Sequence, residues 1–113
     1  MDRKLKKVGL SPADIARDET LFLTANGYLG VRACLEEGVP DGVKSIRGTY
    51  LNAFYDLKPI AYGEKLYGFP TEQESMVNVV DVQTIRLALG DAWFSPFEGT
   101  LARHERTLDM RRG

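Results

Sequence analysis

Asn26-Gly27 stands between the segment Thr20 to Thr24 and an alternating run that ends at Leu35, an arrangement that makes the chain reverse direction between two extended arms. Asn-Gly readily takes the positive φ angles of a type I′ turn, so a tight hairpin is expected here. In the second arm Leu29, Val31, Ala33 and Leu35 fall on one face and Tyr28, Arg32 and Cys34 on the other, the period of a strand with one apolar face. Thr49 to Leu57 alternates Leu51, Ala53 and Tyr55 against Tyr50, Asn52 and Phe54, and bulk on both faces predicts an interior strand. Met76 to Leu89 is rich in β-branched residues and predicts another strand, bulged near Asp81. Gly90-Asp91 then supports a turn, Ala92 to Phe97 a short aromatic segment broken by Pro96, and Gly99 to Met110 a last strand. Helix is expected only as one turn through about Arg17, with Ser11 as N-cap and Pro12 in the first helical position. Pro59 to Pro70, with two glycines and three aromatic rings, predicts an irregular loop. The fold class expected is mainly β and antiparallel.

Composition narrows the partners. The chain's 113 residues suit one domain that buries about two-thirds of its unfolded surface. Fifteen basic residues against sixteen acidic leave a net charge of −1, so no overall field draws in nucleic acid or an anionic membrane, and neither partner is expected. No stretch approaches the roughly 20 apolar residues that span a bilayer, and MDRKLKKVGL lacks the apolar segment of a signal peptide. The single cysteine, Cys34, excludes an internal disulfide and a cysteine-based zinc site; it reads as a small packed residue in a reducing cytoplasm.

Few residues invite chemistry. His104 is the only histidine, so a metal site would need carboxylates alone as co-ligands, and an ordinary strand histidine is expected. Glu36 and Glu37 are adjacent, and neighbouring strand residues point to opposite faces, which prevents them from flanking one bond. Ser45, Ser75 and Ser95 have no histidine nearby in sequence. Arg106, Arg111 and Arg112 form a chain-end cluster that reads as solvated, with bidentate phosphate binding as the sharper alternative. Tyr50, Tyr55, Tyr62, Tyr67, Phe69 and Trp93 have faces suited to a sugar ring, although such rings more often build a core.

Four blocks, ETLFLTANGYLGVR (Glu19 to Arg32), GTYLNAFYD (Gly48 to Asp56), ESMVNV (Glu74 to Val79) and ERTLDMRRG (Glu105 to Gly113), occur in the order and spacing of one family. Together they resemble the opening of glycoside hydrolase family 65, the family of maltose, trehalose and kojibiose phosphorylases. One departure is Val77-Asn78-Val79-Val80-Asp81-Val82, where many members resemble Val-Asn-Leu-Pro-Asn-Trp. The resemblance implies a cytoplasmic, multidomain enzyme: an N-terminal β-sandwich, an (α/α)6-barrel and a small C-terminal β domain. Residues 1–113 would be a single, partial β-sandwich domain, with the barrel absent. It also implies inverting phosphorolysis in which a barrel glutamate is the general acid and inorganic phosphate, the co-substrate, attacks the anomeric carbon. Phosphate then replaces the carboxylate that activates water in an inverting hydrolase.

No catalytic residue, metal ligand or bound cofactor is therefore expected within residues 1–113. Asn26, Gly27, Gly30, Asp109 and Arg111 carry over as structural motif residues, and Tyr28 and Arg32 are the candidates for contacts toward the barrel and substrate. The partners implied are the remaining domains and, through exposed strand edges, a second copy of the chain. The alternative is a free-standing small β module that binds carbohydrate or serves in assembly.

Overall fold

The structure is a computed structural model that describes residues 3–64 and 66–112. In chain order the elements are β1 (Lys4–Val8), a 3-10 turn (Pro12–Asp14), α1 (Ile15–Leu21), β2 (Thr24–Ala25), β3 (Leu29–Val31), β4 (Thr49–Pro59), β5 (Glu72–Asn78), β6 (Ala88–Leu89), β7 (Ala92–Trp93) and β8 (Glu105–Asp109). Strands β2, β3, β4 and β5 form one antiparallel sheet in that order, β1 pairs with β8, and β6 pairs with β7 around Gly90. Mainly antiparallel β structure, as expected, dominates, with one short helix. Among the described residues no helix is long and apolar enough to cross a membrane.

Several boundaries differ from the sequence expectation, each for a local reason. The helix runs on to Leu21 and takes the place of the first hairpin arm, leaving β2 only two residues long. Ser11 is extended, as an N-cap should be, but its side chain makes no capping bond; Lys7 Nζ instead reaches Asp14 Oδ2 at 2.9 Å and Asp18 Oδ2 at 2.5 Å, tying β1 to the helix start. The bulge lies in β4 rather than near Asp81. Tyr50 pairs with Asn78 and Tyr55 with Met76, so four residues of β4 oppose one of β5. Ala53 there has a φ of 68°, a left-handed conformation that costs an L-residue about 1 kcal/mol, and Asn52 Oδ1 accepts its N–H at 2.9 Å. β5 stops at Asn78, and the chain beyond it turns where Asp81 Oδ1 accepts the N–H groups of Gln83 and Thr84, offering the backbone an alternative to a ladder. β8 likewise begins at Glu105 rather than Gly99.

The buried interior is small and polar. Ile15, Phe22, Cys34 and Leu35 are its buried apolar residues among those described, and Asp18, Glu19 and Thr49 are buried with them. The surface is 8847 Å², against roughly 6,200 Å² for a folded monomer of this mass. The Cα radius of gyration is 18.5 Å, against about 13 Å for a self-contained domain of this length. The expected two-thirds burial is thus not reached: the chain buries about half of its unfolded surface. The sheet faces beyond Leu51 remain open, with Phe54, Tyr55, Leu57 and Met76 exposed.

What holds the interior is Glu19, 0% exposed. Its carboxylate accepts the Ser45 hydroxyl at 2.5 Å and the Ile46 N–H at 2.6 Å, and its backbone carbonyl accepts the Ala33 N–H at 3.1 Å. Helix α1 is thereby fastened to both ends of the long β3–β4 connection. Hydrogen bonds to a charged group are worth about 1.5–3 kcal/mol each, so Glu19→Ala is expected to lower unfolding free energy by about 3 kcal/mol. Glu19→Gln should lose less, and Glu72→Ala, on an exposed strand position, within about 0.5 kcal/mol of nothing. Denaturant unfolding followed by circular dichroism checks the order of the three.

Candidate functional site

The hairpin residues are placed by hydrogen bonds rather than by the turn type expected. Positive φ falls on Gly27, at 85°, and not on Asn26, so the pair does not form a type I′ turn. Asn26 stands one residue earlier and caps the reversal: its Oδ1 accepts the N–H groups of Tyr28 at 3.0 Å and Leu29 at 2.8 Å, while its own N–H donates to Leu29 O at 3.1 Å. The reversal is thus closed by the Asn26 side chain together with a glycine free to take a positive φ.

Tyr28 and Arg32 are carried to different places. Tyr28 is 67% exposed beside a small apolar pocket of about 310 Å³ that Gly30, Tyr50, Asn52 and Met76 also line. Arg32 turns toward α1 instead, donating from Nη2 to Thr20 Oγ1 at 2.5 Å and toward Ala16 O at 3.5 Å. Asp109 and Arg111 form a local turn, in which Asp109 Oδ1 accepts the Arg111 N–H at 3.1 Å.

A broad groove of about 660 Å³ lies along β8 and gathers residues that the sequence kept apart. Val31, Ala33 and Leu35 line it, as the alternation grouped them, together with Cys34, Glu36, Gln83, His104, Arg106 and Arg112. Burial pushes the Cys34 thiol up, and the neighbouring Glu19 carboxylate adds to the shift, which makes this cysteine a poor nucleophile at neutral pH. Arg106 and Arg112 of the arginine cluster share the groove, whereas Arg111 does not line it. Glu36 and Glu37 open onto separate cavities.

The loops around this groove are closed by a clasp that sequence reading passed over. Arg47 donates from Nη1 to Asp81 Oδ2 at 2.8 Å and Thr84 Oγ1 at 2.6 Å, and from Nη2 to Leu35 O. Asn78 continues the clasp, accepting the Thr49 N–H at 2.9 Å and donating to Arg47 O at 3.0 Å. The Thr84 hydroxyl, the Gln83 N–H and Arg47 together hold the Asp81 carboxyl at about 2.

Ser45 donates to the Glu19 carboxylate, which is fully buried and also accepts the Ile46 N–H, and Ser95 accepts the Phe97 N–H, so both hydroxyls are engaged in holding the fold. Among the described residues no three His, Cys, Asp or Glu side chains gather to hold a metal ion. Of the aromatic candidates, Tyr62 and Phe69 pack against each other at 5.1 Å, while Trp93 and Tyr67 are exposed.

Comparison with known proteins agrees with the four blocks. Residues 5–113 match the family described as Glycosyl hydrolase family 65, N-terminal domain. An alpha,alpha-trehalose phosphorylase of Geobacillus stearothermophilus is 49% identical over 106 residues, which is 92% of this chain and 14% of that protein. A 3-O-alpha-D-glucosyl-L-rhamnose phosphorylase of Lachnoclostridium phytofermentans is 37% identical over 107 residues, 82% of this chain and 14% of that protein. Among solved structures, a chain from the human microbiome provisionally assigned as a kojibiose phosphorylase superposes with a TM-score of 0.80 at 22% identity, over 98% of this chain and 14% of that one. The chain spans about a seventh of the length of these relatives.

The clasp sets an acid dependence. A carboxyl whose folded-state value lies at about 2, below its ordinary 3.8, contributes stability that is complete above 3.8 and is lost as pH falls toward 2. Asp81→Asn should therefore flatten the fall in denaturant midpoint across that window and leave the slope above it unchanged. A midpoint titration of both proteins checks this.

Proposed function

The chain belongs to the family of glycosyl hydrolase family 65 N-terminal domains, and from that premise we propose that it is the non-catalytic β-sandwich part of a disaccharide phosphorylase, inactive by itself. The observation that carries the reading is the excess surface. A chain with 8847 Å² exposed, where roughly 6,200 Å² is ordinary, has apolar sheet faces that require further polypeptide to cover them. The relatives, about seven times longer, supply the precedent for that polypeptide.

In this reading the whole protein splits an α-glucosidic disaccharide with inorganic phosphate as co-substrate, and α,α-trehalose is the first substrate to test because a trehalose phosphorylase is 49% identical. The general acid and the phosphate site belong to the barrel, and Tyr28 remains the candidate for contact toward it, being exposed where Arg32 is engaged with α1. The protein works in the cytoplasm, and its remaining domains are the first partners of this chain. A second copy is the next partner, through the outer edges of β2 and β5, which no other strand covers among the described residues. The free-standing carbohydrate-binding module is the weaker reading, because it leaves those apolar faces in water.

The test compares residues 1–113 with the longest protein that the gene encodes, assaying glucose 1-phosphate formation from trehalose, kojibiose and maltose. Turnover by the longer protein alone is expected; turnover by neither, with sugar binding by the short chain, would replace this reading by the module. Light scattering on the longer protein should give a dimer or larger assembly, and a monomer at high concentration would remove the second copy from the list of partners.

A further inference from the structure

Two residues that line the groove along β8, His104 and Arg106, each carry a buried nitrogen with no hydrogen-bond partner. Arg106 donates from Nη1 to Ala33 O at 3.3 Å, but Nη2 of the same guanidinium is shut off from water and meets nothing, and His104 Nδ1 is in the same condition. Among the described residues no carboxylate comes within ion-pair distance of Arg106. Of the acids that line the groove, Glu105 pairs with Arg103 at 2.6 Å and Asp109 accepts the Arg111 N–H, while Glu36 lies beyond ion-pair distance of Arg106. A guanidinium removed from water without an acceptor or counter-charge is costly, and folded proteins complete such groups.

We propose that a carboxylate side chain on the polypeptide that follows residue 113 in the whole protein enters this groove and accepts from Arg106 Nη2, with His104 Nδ1 lining its other side. The proposal rests on the reading of the chain as the first part of a longer enzyme. Two observations choose this occupant. The backbone leaves β8 at the groove itself, since Arg112 lines it, so the following polypeptide starts beside the residues that carry the unpartnered nitrogens. The groove also contains Glu36, Glu105 and Asp109, which repel a free, doubly charged phosphate. A single carboxylate delivered by its own backbone needs no net positive field, only the planar fork of the guanidinium.

The test is a structure of the longest protein the gene encodes, together with hydrogen–deuterium exchange on that protein and on Arg106→Met, Arg106→Lys and Lys58→Met. A carboxylate oxygen from beyond residue 113 is expected about 3 Å from Arg106 Nη2. Arg106→Met should raise exchange in the segment that bears the carboxylate about tenfold, Arg106→Lys should raise it less, and Lys58→Met, an exposed position on β4, should not change it. If Arg106→Met fails to fold, the unmodified structure and Arg106→Lys still decide. Water, a free phosphate or a neighbouring subunit in the groove would overturn the proposal and leave the reading as a phosphorylase part intact. A gene that encodes nothing beyond residue 113 would end both.

Discussion

The rest of the structure depends on one buried carboxylate. Glu19 has no contact with solvent, and with its two oxygens and its backbone carbonyl it holds the segments around residues 33 and 45–46 against α1. The connection between β3 and β4 is long for an antiparallel pair, and nothing in its own sequence would give it one shape. Once Ser45 and Ile46 are fixed, Arg47 follows, and its guanidinium reaches Leu35 O on one side and Asp81 and Thr84 on the other. Asn78 then seats the start of β4 by bonding on both sides of Gly48. Each side chain bonds to backbone atoms of a different segment, so the network specifies position rather than bulk.

That mode of construction explains how the chain keeps its architecture with so little apolar burial. Among the described residues only four apolar ones are buried, and directional bonds from Glu19, Arg47 and Asn78 tie α1, the β3–β4 connection and the 81–84 loop to the four-stranded sheet instead. The apolar residues of β4 and β5 are thus left for other polypeptide, while the loops near β8 are already formed. Local staples, rather than apolar burial, set the shape.

The same division decides what could be read from the sequence. Alternation located β3 and β4, because apolar periodicity reports these directly, and Gly90-Asp91 marked the turn between β6 and β7; β3 nevertheless ends at Val31 rather than Leu35, since the Cys34 N–H turns back to Arg32 O, and Cys34 joins Leu35 in the groove. The resemblance carried by four blocks gave the family, which no single residue announced. Helix α1 was cut short because its buried face, Ile15, Asp18, Glu19 and Phe22, has helical spacing but is half carboxylate, and a carboxylate ordinarily marks solvent. β1 escaped for a related reason. Its inward residues are Leu5 and Lys7, and a lysine turns inward only when acids distant in sequence, here Asp14 and Asp18, receive it. The groove was invisible as a site because Arg106 and Ala33 are 73 residues apart and meet only through the bond from Arg106 Nη1 to Ala33 O.

Lys7 also accounts for how that groove comes to exist. β8 has β1 as its only strand partner among the described residues, with Lys7 opposite Arg106, so the groove forms only if β1 is itself held near the 33–36 segment. Lys7 supplies that hold through Asp14 and Asp18, the second of them 2% exposed at the base of α1. Helix, first strand and last strand are therefore linked in series: Glu19 anchors α1 to the long loop, Lys7 anchors β1 to α1, and β1 presents β8. Closing a loop of about a hundred residues costs only about 0.6 kcal/mol more than closing one of half that length, so the distance of β8 in sequence is a minor obstacle once β1 is in place. The placement of Arg106 beside Ala33 O, with Nη2 buried and unpartnered, is the end of that series.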